Sequence, residues 1–158
     1  MLTGNLIDGR AIARKVHAET ESRVAALKEA GVEPSLVFIR VGEDPASRVY
    51  VGMKERTAAK LGIRSETTVL PEDTPESTLL KLLGKLNADS SVHGILVQAP
   101  LPRHIDETTV FSTVSPAKDV DGFHLINVGK LTTGDKSAMV PCTPLGCIMM
   151  LKDHLGDL

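Results

Sequence analysis

Aromatic residues are scarce in this 158-residue chain, at 3% of the sequence, and tryptophan is absent. Because 42% of the residues are nevertheless hydrophobic, the core must be built mainly from leucine, isoleucine, valine and alanine. The same scarcity draws attention to Tyr50, the single tyrosine. A chain of this length can bury one core of ordinary size, which predicts one domain, or one domain and a fragment of another.

Cysteine and histidine are too few, or too dispersed, for two common kinds of site. Cys142 and Cys147 lack CxxC spacing, and two cysteines cannot supply a disulfide framework. We therefore expect a reducing, cytoplasmic environment. The five histidines lie far apart and form no ligand pair at helical or turn spacing, so we expect no bound metal.

Neither charge nor hydropathy indicates a nucleic-acid or membrane partner. The chain has 18 Lys and Arg against 20 Asp and Glu, and no basic stripe offsets the net charge of −2. No apolar run approaches the roughly 20 residues needed to span a bilayer. The N-terminal segment MLTGNLIDGRAIARK lacks the basic and apolar regions of a signal peptide. We expect no nucleic-acid binding and no membrane anchor.

Three short runs of strand character alternate with helical segments. The predicted strands are SLVFIRVG, RSETTVL and VHGILVQ. Helix signals precede the first strand and separate the strands from one another: a helix begins at Asp8 and stops at Gly31, a second begins at Asp44–Pro45 and stops at Gly62, and a third begins with Thr74 as N-cap. This alternation predicts an α/β fold, with a mainly parallel sheet between helices in a three-layer α-β-α arrangement.

The last third of the sequence is less regular. We predict a short helix over 106–113, and then more than thirty residues with little periodicity. A final helix is predicted to open at Pro144 with Thr143 as its N-cap. Long irregular segments in compact domains are often functional, and the apolar residues of this one argue against disorder.

Several polar residues are predicted to meet at the carboxyl edge of the sheet, where ligands settle in open parallel sheets. Tyr50 and Lys54 lie four residues apart on a helix, and Gln98 ends an apolar strand. Each has a simpler structural explanation: Lys54 as an exposed charge, Tyr50 as a packing residue, and Gln98 as a partner for backbone groups in the following turn.

The remaining polar candidates are equally ambiguous when they are taken one at a time. Asp119 and Asp121 have the spacing of turn-forming aspartates. Cys142 could be a nucleophile, but a buried structural cysteine explains it better, since no histidine is adjacent in the sequence. Spacing therefore predicts a pocket without specifying a reaction.

Four motifs in sequence order give a more specific indication. They are SRVYVGMKERTAAKLGI, GILVQAPLP, PAKDVDGFHLINVGKL and PCTPLG. Together they resemble the bifunctional methylenetetrahydrofolate dehydrogenase/methenyltetrahydrofolate cyclohydrolase family, with its Y-V-x-x-K, G-I-L-V-Q-x-P-L-P, K-D-V-D-G and P-C-T-P-x-G patterns. The resemblance implies NADP-dependent oxidation of 5,10-methylenetetrahydrofolate, then hydrolysis of the methenyl product to 10-formyltetrahydrofolate. It also implies a homodimer.

The resemblance implies roles for six residues of this chain. Lys54 matches the catalytic lysine, which assists water attack and ring opening by proton transfer. Tyr50 matches a tyrosine that lies against the folate, and Gln98 matches the glutamine that orients the lysine. Substrate-binding positions complete the set: Asp121 for the amino-pyrimidine end of the pterin, and Val97 and Ala99 for the folate wall. Ala99 stands where leucine is commoner in the family, which enlarges that wall.

The resemblance also implies that part of the family's architecture lies outside this sequence. The family continues into a Rossmann-like domain with a G-R-S-x-x-V-G-x-P segment, and no such segment is present. We therefore predict a folate-binding catalytic domain over 1–140 and, over 141–158, a helix leading toward an NADP-binding domain absent from this chain. No residue here is predicted to bind NADP. Two alternatives stay open: a non-catalytic folate- or pterin-binding module, and a thiol-dependent hydrolase using Cys142.

Overall fold

The computed structural model of the chain describes residues 7–156, in which three β-strands alternate with α-helices. The strands are Ser35–Val41 (β1), Arg64–Leu70 (β2) and Gly94–Val97 (β3). The helices are Gly9–Glu29 (α1), Pro45–Lys60 (α2), Glu76–Ala88 (α3), Glu107–Thr113 (α4), Leu125–Thr132 (α5) and Cys142–Leu155 (α6). Residues 1–6 of the segment tested for a signal peptide, and residues 157–158 of the predicted last helix, lie outside this range.

The strands form a parallel sheet in the order β2-β1-β3. In the central strand, Ile39 pairs with Val97 of β3 and with Thr68 of β2. Parallel pairing requires a crossover between consecutive strands, and α2 and α3 supply these crossovers. The predicted α/β fold with a parallel sheet is confirmed.

Each face of the sheet packs against helices. On one face, alternate residues of β1 and β3 join α3 and α4 in the larger core, whose buried members include Val37, Ile39, Ile95, Leu79, Leu83 and Val110. On the other face, Phe38 of β1 and Leu96 of β3 pack against Val51 of α2. Because successive strand residues point to opposite faces, the sheet is the middle of three layers, as predicted.

Helix α1 packs against α6, and the two are joined by an ion pair in which Lys15 Nζ lies 2.7 Å from Asp153 Oδ1. None of the helices within residues 7–156 combines the length and the apolar character needed to cross a membrane. The proposed division of the chain at residue 140 stays a prediction.

The predicted signals at the ends of α1 and α2 are confirmed. Asp8 caps α1 by accepting hydrogen bonds from two backbone amides. Asp44 Oδ1 accepts from the Ser47 amide at 2.7 Å, with Pro45 as the first helical residue. Gly62 follows the last turn of α2 with a φ of 77°, a conformation that glycine adopts without a steric penalty. These signals set where α2 begins and ends.

Three other helix predictions are corrected. Helix α3 begins at Glu76 with Pro75, rather than Thr74, in the capping position. Helix α6 begins at Cys142, so Thr143 and Pro144 lie inside its first turn, where a proline needs no amide hydrogen. Helix α5 lies in the segment predicted to be irregular. His124 caps it through its ring nitrogen Nδ1, which accepts from the Ile126 amide at 3.0 Å, and histidine is not a usual cap signal.

The segment before α5 extends the sheet beyond β3. The Ile95 amide donates to the Lys118 carbonyl at 2.8 Å, and Ile95 and Asp119 form an isolated parallel bridge. This approach is close: a Cβ atom added at Gly94 would lie 2.5 Å from both Leu36 Cδ2 and Val120 Cγ1. The residues of the K-D-V-D-G motif are thereby held beside β3, the strand that Gln98 follows.

We predict that Gly94→Ala destabilises the protein by about 1–3 kcal/mol, because the added methyl group overpacks the contact between β1, β3 and this segment. Gly84→Ala in α3 is the matched control. A Cβ atom there meets nothing within 4 Å, so the substitution should stabilise the helix by about 0.5–1 kcal/mol. Urea denaturation of both variants measures the two effects, and equal stability of Gly94→Ala and wild type would contradict the close approach.

Candidate active site

Helix α2 and strand β3 bring Lys54 and Gln98 together. Lys54 Nζ donates a hydrogen bond to Gln98 Oε1 at 3.1 Å. The amide of Gln98 is oriented by a second contact, in which its Nε2 donates to the Ala99 carbonyl at 2.6 Å. Its backbone amide donates to the Ile39 carbonyl at 2.8 Å and continues the β1–β3 ladder. The oxygen of the side chain is therefore left facing the amine.

Lys54 lines a cavity of about 580 Å³ between α2, the sheet, α1 and α6, and Gln98 reaches this cavity through its contact with Lys54 rather than as part of the lining. Most of the lining is apolar and includes Phe38, Leu96 and Met53. The polar or titratable side chains of the lining belong to Tyr50, Lys54, Thr57, Asp121, Cys142 and His17. A mostly apolar cavity with a few converging polar groups is the usual form of a small-molecule site.

Tyr50 lies at the edge of this cavity, with 55% of its surface exposed. Its position one turn before Lys54 on α2 gives the cavity an aromatic surface beside an amine. An aromatic side chain that is half exposed at a cavity edge is available for stacking against a planar ligand.

Asp121 reaches the cavity from the segment beside β3. Burial raises the pKa of this carboxyl above its ordinary value near 3.8, the neighbouring carboxylate of Asp119 acts in the same direction, and the Lys54 ammonium opposes both. Desolvation is the largest of these effects, which means that the surroundings of Asp121 solvate its carboxylate poorly. A ligand that offers hydrogen-bond donors to this carboxylate would relieve that cost.

Asp119 behaves differently from Asp121 and is not merely a turn former. It is buried at 5% exposure, and its Oδ2 accepts from the His124 amide and from Asn127 Nδ2, both at 2.9 Å. Asn127 is itself buried at 2% exposure. Sequence reasoning did not identify Asn127, whose only signal was its position nine residues after Lys118 in the long motif.

Val97 and Ala99 flank Gln98, but the structure does not place the Val97 side chain at the cavity. Val97 is buried in the core on the opposite face, together with α3 and α4. The reason is strand alternation, which turns Leu96 and Gln98 toward α2 and Val97 away from it. Neither Val97 nor Ala99 is among the residues that line the cavity. Ala99 is partly exposed and precedes a cis peptide bond to Pro100.

Cys142 is exposed, which corrects the prediction of a buried structural cysteine. Its Sγ lies 3.7 Å from the Val120 carbonyl at the edge of the cavity. Partial burial of the sulfur and then the Asp121 carboxylate raise the pKa of the thiol, and Lys54 opposes them. A thiol with a raised pKa is a poor nucleophile at neutral pH. This counts against the thiol-hydrolase alternative.

His17 is a cavity residue that sequence reasoning missed. It comes from α1, far from the four motifs, and it lines both the main cavity and the neighbouring groove between α1 and α6. A single histidine in an amphipathic helix gives no signal of its own, so only the packing of α1 against α6 reveals this position.

The same residues fall within a known family. The sequence model described as the tetrahydrofolate dehydrogenase/cyclohydrolase catalytic domain matches residues 7–121. The chain belongs to this family. A bifunctional protein FolD from Cereibacter sphaeroides is 54% identical over 99% of this chain. That alignment covers 53% of the FolD protein, so the chain spans about half the length of the curated relatives it matches.

Solved structures agree with this assignment. The bifunctional FolD methylenetetrahydrofolate dehydrogenase/cyclohydrolase of Campylobacter jejuni matches with a TM-score of 0.94 and 44% identity, covering 97% of this chain and 54% of that one. The Trypanosoma brucei enzyme, solved with NADP cofactor and an inhibitor, matches with a TM-score of 0.91 and 33% identity, covering 97% and 52%. The predicted family and fold are confirmed.

The raised pKa of Asp121 predicts a pH dependence of stability. Between the pKa of the unfolded state, near 3.8, and the raised pKa of the folded state, the folded protein binds more protons than the unfolded one. The stability of wild type relative to Asp121→Asn should therefore be greatest below about pH 3.8 and decline as the pH rises through the raised value. Urea denaturation at several pH values measures the free energy of unfolding of both proteins. A wild-type stability that rises with pH relative to Asp121→Asn would contradict the prediction.

Proposed function

We propose that this chain forms the folate site of a methylenetetrahydrofolate dehydrogenase/methenyltetrahydrofolate cyclohydrolase, and that its own residues carry out the cyclohydrolase chemistry. The substrate is a tetrahydrofolate with a one-carbon bridge between N5 and N10. The observation that carries the proposal is the 3.1 Å hydrogen bond between Lys54 Nζ and Gln98 Oε1, at a cavity that Tyr50 and Asp121 also line.

Lys54 is proposed as the group that moves protons. Water adds to the methenyl carbon, and Lys54 in its neutral amine form accepts the proton that the water gives up. When the bond between that carbon and N5 breaks, the hydroxyl proton is transferred to N5 and the carbon becomes the formyl group on N10. The net reaction consumes one water and releases one proton. Gln98 supports this role because an amide oxygen orients the amine without adding a negative charge.

Asp121 and Tyr50 are proposed to bind the substrate. The amino-pyrimidine end of a pterin presents adjacent N–H donors, which suit a carboxylate through paired, charge-assisted hydrogen bonds. The desolvated carboxyl of Asp121 supports this role, since such a contact would stabilise its charged form. Tyr50 is proposed to stack against the ring system of the folate, and its exposed ring at the edge of the cavity supports this role. The roles of Val97 and Ala99 in the folate wall stay predictions, since neither residue lines this cavity.

The residues described here do not fit the dinucleotide that the dehydrogenase step requires. Pyrophosphates bind at helix N-termini that follow glycine-rich turns. In this chain the three helices that follow strands each carry an acid at or near the N-terminus: Asp44 in α2, Glu76 in α3 and Asp106 in α4. Their carboxylates would repel a pyrophosphate. NADP dependence, the homodimer and the cytoplasmic location stay predictions.

A non-catalytic folate- or pterin-binding module is the second candidate. The exposed Tyr50 and the desolvated Asp121 would serve binding alone equally well. Loss of the absorbance of 5,10-methenyltetrahydrofolate distinguishes the two, because binding does not destroy the chromophore of the cation. The orientation of Gln98 toward the amine favours the enzyme.

We predict that Lys54→Met lowers the rate of methenyltetrahydrofolate hydrolysis by about 10²–10⁴-fold, because it removes the proton-accepting amine and keeps an unbranched side chain. Absorbance of the methenyl substrate follows the reaction. Lys60→Met, in the last turn of the same helix, is the control and should retain activity. Full activity of Lys54→Met would remove this residue from the mechanism.

We predict that Asp121→Ala weakens binding of 5,10-methenyltetrahydrofolate by about 10- to 100-fold, the size expected for lost hydrogen bonds to a charged group. The dissociation constant is obtained from an absorbance titration completed before the substrate is hydrolysed. Calorimetry with the Lys54→Met protein gives the same constant without turnover. Asp73→Ala removes an exposed carboxylate that does not line the cavity and should bind normally. An unchanged constant in Asp121→Ala would rule out the proposed orientation of the pterin.

A further inference from the structure

We propose that Asp119 and Asn127 form a buried positioning pair that fixes the direction from which Asp121 enters the folate cavity. The inference rests on the proposed function and deepens it, because it concerns how the substrate-binding carboxylate is held. It adds two positioning residues, neither of which contacts the cavity itself.

The pair is well defined by its hydrogen bonds. Asn127 Nδ2 donates to Asp119 Oδ2 at 2.9 Å and to the Pro116 carbonyl at 2.9 Å. The same Asp119 oxygen accepts from the His124 amide at 2.9 Å. A carboxylate and an amide buried at 5% and 2% exposure are costly to place inside a protein unless their hydrogen bonds are formed. These contacts therefore tie the first turn of α5 to the segment that precedes it.

The segment is also tied to the sheet on its other side. Asp119 forms the parallel bridge with Ile95, and the preceding Lys118 donates through Nζ to the Leu86 and Asp89 carbonyls at the end of α3. The backbone just before Asp121 is thus held by β3, α3 and α5 together.

Asp121 depends on that backbone because its own side chain is not held. Within residues 7–156, no hydrogen bond joins the Asp121 carboxylate to another group, unlike that of Asp119. The following residue, Gly122, has a φ of 71°, and a Cβ atom there would lie 2.5 Å from the Met139 carbonyl. A carboxylate without its own partner points where its backbone directs it, so the Asp119–Asn127 pair sets its position.

The charged and titratable groups around Asp121 give the pair a second, independent signature. Lys54 and Tyr50 of α2, Cys142 of α6 and His17 of α1 line the same cavity as Asp121, while Asp119 lies two residues away on the same segment. The Asp119 carboxylate raises the pKa of Asp121, and Asp119→Asn removes that charge with almost no change in shape. The pKa of Asp121 should therefore fall in this variant.

The test compares Asn127→Ser with Asn87→Ser. Asn87 is a matched control, because its side chain also bridges a helix and a loop, donating to the Thr113 carbonyl at 2.7 Å and accepting from the Ser115 amide at 2.8 Å, away from the cavity. We expect Asn127→Ser to raise KM for 5,10-methenyltetrahydrofolate about tenfold with little change in kcat, since the Lys54–Gln98 pair is untouched. Asn87→Ser should leave KM unchanged.

A second measurement uses the folded protein without turnover. Carbon-detected NMR titration of the Asp121 carboxyl in wild type and Asp119→Asn should show a lower pKa in the variant. Equal KM values in the two asparagine variants, or an unchanged titration in Asp119→Asn, would overturn the inference while leaving the proposed function intact. Normal folate affinity in Asp121→Ala would overturn the inference together with the proposed orientation of the pterin, because no binding carboxylate would remain to be positioned.

Discussion

The hydrogen bond between Lys54 and Gln98 joins two residues 44 positions apart, and the geometry of the site depends on it. Two conditions must hold for it to form. Strand β3 must pair with β1 in register, which the Gln98 amide helps to do through the Ile39 carbonyl. Helix α2 must also seat Val51 against Phe38 and Leu96. A slip of one residue in β3 would turn Gln98 into the opposite core and leave Lys54 without its partner.

The polar groups at the cavity are held in two different ways. Gln98 is fixed directly, because one end of its amide bonds to the Ala99 carbonyl and the other accepts from Lys54. Asp121 is held through its backbone, and burial makes its charge costly. The first arrangement suits a group that must keep one geometry during proton transfer. In the second, a ligand that supplies hydrogen-bond donors would add to the stabilisation that Lys54 already gives the charged carboxylate.

Local signals predicted much of the secondary structure. Asp44, Pro45 and Gly62 bound α2 as expected, because these residues act through capping and backbone geometry within one turn of the chain. The wrong predictions of helix starts have the same origin, because they too depended on local capping signals. Helix α5 is capped by a histidine ring, and α6 begins after Pro141 with no side-chain cap, so neither start carries the usual signal. The motifs nevertheless identified the family, since they preserve residue types at fixed spacing whatever the local structure.

The sequence by itself determined the family, the parallel α/β fold and the chemical groups available: an amine, an amide, a phenol and carboxylates. Tertiary structure decided which of them converge. It turned Val97 into the core while its neighbour Gln98 faces α2, brought His17 to the cavity, and buried Asp119 while leaving Asp121 open to a ligand. Residue types and short spacings are local properties, whereas the face a strand residue takes and the burial of a carboxylate depend on elements that pack together from distant parts of the chain.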